Sequence, residues 1–161
     1  MMLALLLLFT FTLTGYLVGN RFALKLSERR RYFEECSILI DHLIGDFRFK
    51  QTSICDILEQ YDCKSDALKR NLEEFCSYAK GKNNELSLTT NILNESEIKC
   101  IIELFSALGR YDLDTQLIIL GNFKEKISSF YSNANEQEKK MSGVYRKIGA
   151  LCGLMIGILT V

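Results

Sequence analysis

The sequence has no proline and no tryptophan, only one histidine, and no excess of either charge. The absence of proline favours long, unbroken helices and argues against an all-β sandwich, which usually needs proline in its turns. The formal net charge of +0 provides no general attraction to nucleic acid, so we predict no nucleic-acid partner. The 161 residues fit one ordinary domain together with membrane segments.

Catalytic and cofactor motifs are also missing from the sequence. It contains no glycine-rich phosphate loop, no GxSxG and no HExxH. Adjacent carboxylates such as Glu34-Glu35 and Glu73-Glu74 point about 100° apart on a helix, so neither pair converges on one atom. We therefore predict a non-enzymatic protein without metal or cofactor. A membrane-bound enzyme that uses His42 with nearby carboxylates is the weakest of three hypotheses.

Six cysteines are present, but no two form a CxxC pair, so neither a zinc site nor a redox motif is indicated. They are Cys36, Cys55, Cys63, Cys76, Cys100 and Cys152. An even number would suit disulfides in a secreted protein, whereas a cytoplasmic location predicts reduced thiols that pack in the core. The choice between these two states depends on the membrane topology.

Apolar residues are concentrated at the two ends of the chain. Met2–Gly19 is free of charge and would span about 27 Å as a helix, close to the hydrocarbon thickness of a bilayer. No basic residue precedes it, as a signal peptide would require, so we interpret it as an uncleaved anchor. Ile148–Val161 is also uncharged but spans only about 21 Å, which requires a thinner bilayer or snorkelling of Arg146 and Lys147. The alternative for this second run is a buried core helix.

Basic residues lie on the inner side of both apolar runs, where they would fix the topology and contact lipid headgroups. They are Arg21, Lys25, Arg29, Arg30, Arg31, Arg146 and Lys147. The positive-inside rule then places the middle of the chain in the cytoplasm. The run at Arg29–Arg31 lacks the interleaved aromatic residues of a nucleic-acid site and instead favours anionic headgroups. The predicted division is residues 2–19 and 147–161 as transmembrane helices and 20–146 as a cytoplasmic helical domain.

The charged middle shows helical periodicity and helix-capping signals. Apolar residues recur at steps of three, four or seven from Phe22 to Phe47, which predicts a helix continuing from the first membrane run. The further signals are a turn at Lys50–Thr52, caps at Ser53, Ser65 and Asn94, a loop at Gly81–Asn84 and a short helix at Leu86–Leu93. Gly109 fits a left-handed helix terminus, and Asp112 fits the cap of a last helix that begins at Leu113. We predict an all-α fold, with a cytoplasmic bundle of about five to six helices flanked by the two transmembrane helices.

Glycines recur at every fourth position in both apolar runs. They are Gly15, Gly19, Gly149, Gly153 and Gly157. In lipid, small residues at this spacing allow the close backbone approach by which helices attract each other. Gly19 and Gly149 would lie near the cytoplasmic side, with Gly15 and Gly153 one turn deeper. The two glycine faces could therefore pack together within one chain, or equally against a partner subunit.

The helix corner and the C-terminal run together resemble a known family. The matching residues are Leu108, Gly109, Asp112 and Gln116, then Met141, Tyr145-Arg146, Gly149 and Gly153-Leu154, with Gly15, Arg21 and the stretch Asp46–Leu58 towards the N-terminus. In this joint spacing the chain resembles stage III sporulation protein AB of endospore-forming bacteria over its whole length. It departs at Ser53, where the family usually has proline, and in lacking a tryptophan, so Lys82–Leu93 is the region least similar to the family.

The resemblance implies a role in the channel-like complex between mother cell and forespore, at the mother-cell membrane around the forespore. The soluble domain of the family is similar to the cytoplasmic domains of type II secretion F proteins, which are platform subunits. This similarity implies three kinds of partner: a cytoplasmic secretion-type ATPase, other membrane subunits, and further copies of the chain. The competing hypothesis is a secreted or surface-anchored helical protein with a cleaved signal peptide and disulfides.

Overall fold

The computed structural model of the chain describes residues 2–49, 54–82, 86, 88 and 91–160. Over these residues the regular structure consists of five α-helices, without a strand. They are α1 (Met2–Phe49), α2 (Ile54–Gln60), α3 (Asp66–Ala79), α4 (Glu95–Ala107) and α5 (Leu113–Thr160). The all-α class predicted from the periodicity is confirmed for the described residues.

The chain divides into two compact units. The first, here called the hairpin unit, consists of Met1–Arg30 and Asn133–Val161, and the second, the bundle unit, consists of Arg31–Ser132. The helices α1 and α5 have 48 residues each and contribute to both units. With no proline to interrupt them, both continue well beyond their apolar runs. The hairpin unit therefore extends further along the chain than the predicted membrane segments 2–19 and 147–161.

The predicted helix starts are confirmed where the structure describes them. Ser65 caps α3 by accepting a hydrogen bond from the Leu68 N–H at 3.4 Å. Asn94 and Glu97 form a capping box at the start of α4, in which the Asn94 N–H donates to the Glu97 carboxylate at 2.9 Å. Both contacts satisfy amide groups that a helix terminus otherwise leaves without partners.

Three predictions lie wholly or partly in the segments between helices. The turn at Lys50–Thr52 and the cap at Ser53 lie outside the described residues, as do Asn83 and Asn84 of the predicted loop. The short helix predicted at Leu86–Leu93 is wrong for its described residues, since 86, 88 and 91–93 are not helical. Leu88 is nevertheless buried, so this segment packs its apolar side chain without forming a helix.

The bundle unit is held by a core of aromatic and aliphatic side chains drawn from several helices. The fully buried members include Tyr32, Phe33, Ile40, Leu43, Leu68, Ile101, Phe105, Leu120 and Ile127. The Phe75 and Phe105 rings stack at 5.0 Å, and those of Phe33 and Phe130 lie 5.4 Å apart. These ring contacts join α3 to α4 and α1 to α5.

Two buried polar connections fix α1 within this core. The Asn71 amide donates to the Tyr32 hydroxyl at 2.9 Å, and the Asn71 side chain is almost completely buried. The Glu35 carboxylate, also buried, accepts from the Tyr61 hydroxyl and from the Lys64 N–H, both at 3.3 Å. Buried polar groups are costly when unpaired, so these bonds select one arrangement of α1 against α2 and α3.

We expect Asn71→Ala to lower the free energy of unfolding by about 2 kcal/mol, because it leaves the Tyr32 oxygen without its donor in a dry site. Urea unfolding of the purified full chain in detergent, followed by circular dichroism, measures this loss. Asn91→Ala, at an exposed turn position, is the matched control and should change stability by less than about 0.5 kcal/mol. Equal effects of the two substitutions would contradict the role of the Tyr32–Asn71 bond.

Candidate functional site: the glycine contact and the helix corner

In the hairpin unit the glycines of the two apolar runs face each other. A Cβ atom built on Gly15 would lie 2.9 Å from the Gly153 Cα, and one built on Gly149 would lie 3.0 Å from the Gly19 Cα. A side-chain carbon has no room at these distances, so only glycine allows the two backbones to come this close. We call this region the glycine contact. It brings the two predicted glycine faces together within one chain.

The glycine contact extends on both sides of these pairs. A Cβ on Gly19 would lie 3.2 Å from the Arg146 Cα, and one on Gly157 would lie 3.3 Å from the Leu8 Cα. Positions that increase along α1 therefore meet positions that decrease along α5, so the two helices run antiparallel in one register. Gly19 and Gly153 are buried by this contact, whereas residues next to them on the same helices are exposed.

Large apolar side chains cover the outside of the hairpin unit. They are exposed on α1 between Leu6 and Leu24 and on α5 between Met141 and Leu159. In the antiparallel register these two bands lie at the same height, and each is about 27 Å long. Among the described residues, α5 is the helix that is long and apolar enough to cross a membrane, judged by length and composition. An exposed apolar surface of this extent is typical of a protein that contacts lipid or another protein.

The predicted headgroup residues fall into two groups. Arg29 is buried and donates to the Gln137 amide oxygen at 2.5 Å, and Arg30 pairs with Glu138 at 2.6 Å. These two arginines therefore bridge α1 and α5 inside the hairpin unit. The other five are exposed to solvent: Arg21, Lys25, Arg31, Arg146 and Lys147. The sequence carries no local signal for the bridges, since their partners lie 108 residues away.

The corner between α4 and α5 is built by the residues that carry the family resemblance. Gly109 has φ +75°, the left-handed conformation that glycine adopts without steric cost. The buried Gln116 side chain returns to the corner, where it accepts from the Gly109 N–H at 3.2 Å and donates to the Ala107 carbonyl at 3.5 Å. Gln116 therefore satisfies backbone groups that the end of α4 leaves exposed. Its role could not be read from the sequence, because glutamine has no particular preference for such positions.

Asp112 and Leu108 complete the corner. The Asp112 carboxylate accepts from the Thr115 N–H at 3.2 Å and so caps α5, while Leu108 is buried in the bundle core. The hydrogen bonds from Thr115 lower the pKa of the Asp112 carboxyl below its ordinary value, so it stays ionised at the positive end of the helix. All four motif residues thus have a structural role in reversing the chain direction.

The six cysteines are all free thiols. Cys36, Cys76 and Cys100 are buried, and Cys55 and Cys63 are partly buried. Burial raises the pKa of Cys36 and of Cys100, and it raises the pKa of Cys76 to about 12. These three thiols are therefore protonated and weakly reactive near neutral pH.

His42 is exposed on α1 and contacts the Tyr61 ring edge-on, with 5.6 Å between ring centroids. The part of the chain that the structure describes holds no group of three or more histidine, cysteine or acidic side chains arranged to bind a metal ion. His42 therefore has a packing contact but no arranged chemical partner in these residues.

An antiparallel helical hairpin with an apolar exterior and close backbone contact is typical of a membrane-associated helical protein. The chain belongs to the stage III sporulation protein AB family, whose family model matches residues 1–161, the whole chain. Membership implies a role in sporulation and confirms the resemblance seen at the corner and the C-terminal run. No curated protein and no solved structure matches the chain.

Gly109→Ala should destabilise the bundle unit more than Gly81→Ala. Both glycines have positive φ, which costs about 1–2 kcal/mol for alanine, but a Cβ on Gly109 would also lie 3.0 Å from the Ile54 Cδ1 atom, whereas Gly81 faces open space. Thermal unfolding of the purified full chain measures the difference.

Ile54→Val removes the crowding atom, so we expect it to recover part of the stability lost in Gly109→Ala and none of that lost in Gly81→Ala. Equal losses in the two glycine variants, unaffected by Ile54→Val, would show that the corner does not depend on this close approach.

Proposed function

We propose that the protein is a non-enzymatic platform subunit of a secretion-like channel complex between mother cell and forespore. In this proposal residues 2–19 and 147–161 cross the mother-cell membrane, and the helical middle of the chain lies in the cytoplasm, where it docks partners. The observation that carries the proposal is the glycine contact. Close backbone packing of this kind is a main source of attraction between helices in lipid, where apolar burial provides little.

The glycine contact also supports retention of the N-terminal run. Gly15 and Gly19 supply one half of the contact, and Gly149 and Gly153 supply the other half. Cleavage after the first run would remove the partner surface and leave the α5 glycines without any contact in the chain. A secreted protein with a cleaved signal would retain only one of the two glycine faces. The contact between the faces therefore favours the two-pass topology over the competing hypothesis.

The inner boundary of the membrane is proposed to lie at a layer of basic and aromatic residues. The antiparallel register brings Arg21 to the same level as Arg146 and Lys147, and all three side chains are exposed. At this level the Phe22 and Tyr145 rings lie 6.0 Å apart. Aromatic and basic side chains are enriched at the headgroup level of membranes, and the basic ones follow the positive-inside rule. The shorter C-terminal run would be held at its depth by its contact with α1.

The proposed partners are a cytoplasmic secretion-type ATPase, other membrane subunits of the channel complex and further copies of this chain, with no nucleic acid. Family membership supports the sporulation setting. The platform role rests on the similarity to secretion F proteins that the family resemblance implies. The absence of catalytic motifs in the sequence agrees with a subunit that acts by binding.

The topology predicts opposite signals from two reporter fusions. Each site is tested with two reporters, one that is active only in the cytoplasm and one that is active only outside it. In the exposed turn at Gly81 only the cytoplasmic reporter should be active, and after Val161 only the extracytoplasmic reporter should be active. Cell fractionation of the same strains should recover both fusions in the membrane. A soluble protein, or two reporters on the same side of the membrane, would exclude the two-pass arrangement.

Gly153→Leu should lower the recovery of partner subunits by several-fold while leaving the bundle unit folded, because the leucine side chain separates α1 from α5. The measurement is quantitative mass spectrometry of proteins that co-purify with the tagged chain from membranes of sporulating cells. Gly143→Leu is the matched control, since Gly143 lies on the same helix with open space around it. Unchanged recovery of partner subunits in both variants would show that assembly does not depend on the glycine contact.

A further inference from the structure

Large apolar side chains are exposed around the start of α5. Among the described residues of the bundle unit, the exposed large apolar side chains are Ile38, Tyr111, Leu113 and Ile118, so three of the four lie between positions 111 and 118. Ile118 is the most exposed of them, at 67%. Single apolar side chains are common on protein surfaces, whereas a cluster of them is typical of a contact surface.

Ile118 lies on the side of α5 that faces away from the core of the bundle unit. Gln116 and Leu120, two positions before and after it, are both buried. Two residues along an α-helix correspond to a rotation of about 200°, so these neighbours face the core while Ile118 lies on the opposite side. Residues three, four or seven positions away share the side of Ile118. We call this set the outer face of α5, and its members are Asp114, Ile118, Gly121, Asn122 and Glu125.

Gly121 leaves the backbone of α5 open next to Ile118. A Cβ atom built on Gly121 would have no described atom within 4 Å. A glycine inside a helix costs about 0.5–1 kcal/mol relative to alanine, because it loses more conformational freedom on folding. In the glycine contact a second backbone approaches closely, but no such approach exists at Gly121 in the described chain. The outer face therefore admits the close approach of a helix from outside the chain.

The outer face carries charge of one sign only. Asp114 lies one turn before Ile118 and Glu125 two turns after it, and both are exposed. The neighbouring Lys124 lies on another side of the helix, where it pairs with Asp41 of α1 at 2.5 Å. Acidic residues at both ends of the face attract a basic partner. They repel a second copy of the same face and an anionic membrane surface.

We propose that the outer face of α5 is a docking surface for a helix of a partner subunit that carries basic residues on both sides of an apolar centre. Ile118 packs against the apolar centre, and Gly121 allows the two backbones to approach. Asp114 and Glu125 pair with lysine or arginine of the partner. Because they lie about 16 Å apart along α5, the basic residues of the partner helix are separated by about three turns. An apolar centre with a polar rim is the usual arrangement of a protein interface.

This inference rests on the proposed platform role, because it names the surface by which the bundle unit would bind one of its partners. The two can nevertheless fail separately. The platform role requires that partner subunits co-purify with the chain, whereas the docking surface requires that one of them contacts the outer face of α5.

The test places the photoreactive amino acid p-benzoylphenylalanine at Asn122 of the tagged full-length chain, which leaves Ile118 and both acidic residues intact. Membranes of sporulating cells are irradiated, and the cross-linked peptides are mapped by mass spectrometry. We expect a link to a helix of another subunit that has lysine or arginine within two turns on each side of the linked residue. The same probe at Arg70, which is exposed on α3, is the matched control and should not link to that helix.

Glu125→Lys should lower the yield of this link several-fold, because it places a like charge opposite the basic partner. Glu125 is exposed and lies outside the first turn of α5, so circular dichroism of the variant should show unchanged helix content. Glu73→Lys, at an exposed position of α3, is the matched control and should leave the yield unchanged. Irradiation of detergent-solubilised membranes at about 1 M salt should also weaken the link, since charges are then screened beyond about 3 Å.

A link to a second copy of this chain, to lipid or to a segment without basic residues would overturn the proposal. So would the absence of a link, or a yield that Glu125→Lys does not change. Co-purification with the tagged wild-type chain separates the two kinds of failure. If partner subunits co-purify but none is linked at position 122, the docking surface alone is wrong; if none co-purifies, the platform role is wrong as well.

Discussion

The direct contact between two backbones at the glycines of α1 and α5 is the constraint on which the hairpin unit depends. Dispersion between atoms falls steeply with distance, so a gap of even one methyl group at Gly15 or Gly153 would remove most of the attraction between the helices. The same contact fixes the register, because each glycine fits one position of the opposite backbone. Once the register is fixed, Arg29 reaches Gln137, and the Phe22 ring reaches Tyr145. The polar and aromatic contacts therefore follow from the packing of residues that have no side chain.

The bundle unit relies on a different principle, in which apolar burial supplies the stability and a few buried polar groups select the arrangement. Glu35 and Asn71 each hold α1 to another part of the chain, and Gln116 holds the two sides of the corner together. Leaving a buried polar group without its partner costs more free energy than its hydrogen bond contributes to stability. Alternative packings of these helices, which would break such bonds, are therefore unfavourable. The family residues at the corner are explained by this requirement, since each either reverses the chain or satisfies a group exposed by the reversal.

The features predicted correctly from the sequence are those with a local physical cause. Absence of proline leaves α1 and α5 unbroken, Ser65 and Asn94 provide caps, and Gly109 permits a positive φ. What could not be predicted depends on residues far apart in the chain. The pairing of Arg29 with Gln137 and the burial of Glu35 leave no trace in local spacing. The short helix expected near Leu88 failed for a related reason: apolar residues in a short segment can be buried by neighbouring elements without forming a helix themselves.

The order of synthesis gives the glycine contact a further consequence. The bridge from Arg29 to Gln137 joins positions 108 residues apart, and the glycine contact joins positions still more distant. The ribosome therefore finishes the first apolar helix long before the second one exists. During that interval the glycine face of α1 lacks its partner surface on α5, and the hairpin closes only after translation of the C-terminal run. In the proposed two-pass arrangement, other membrane helices could bind this face of α1 first, and completion of the hairpin would end that competition.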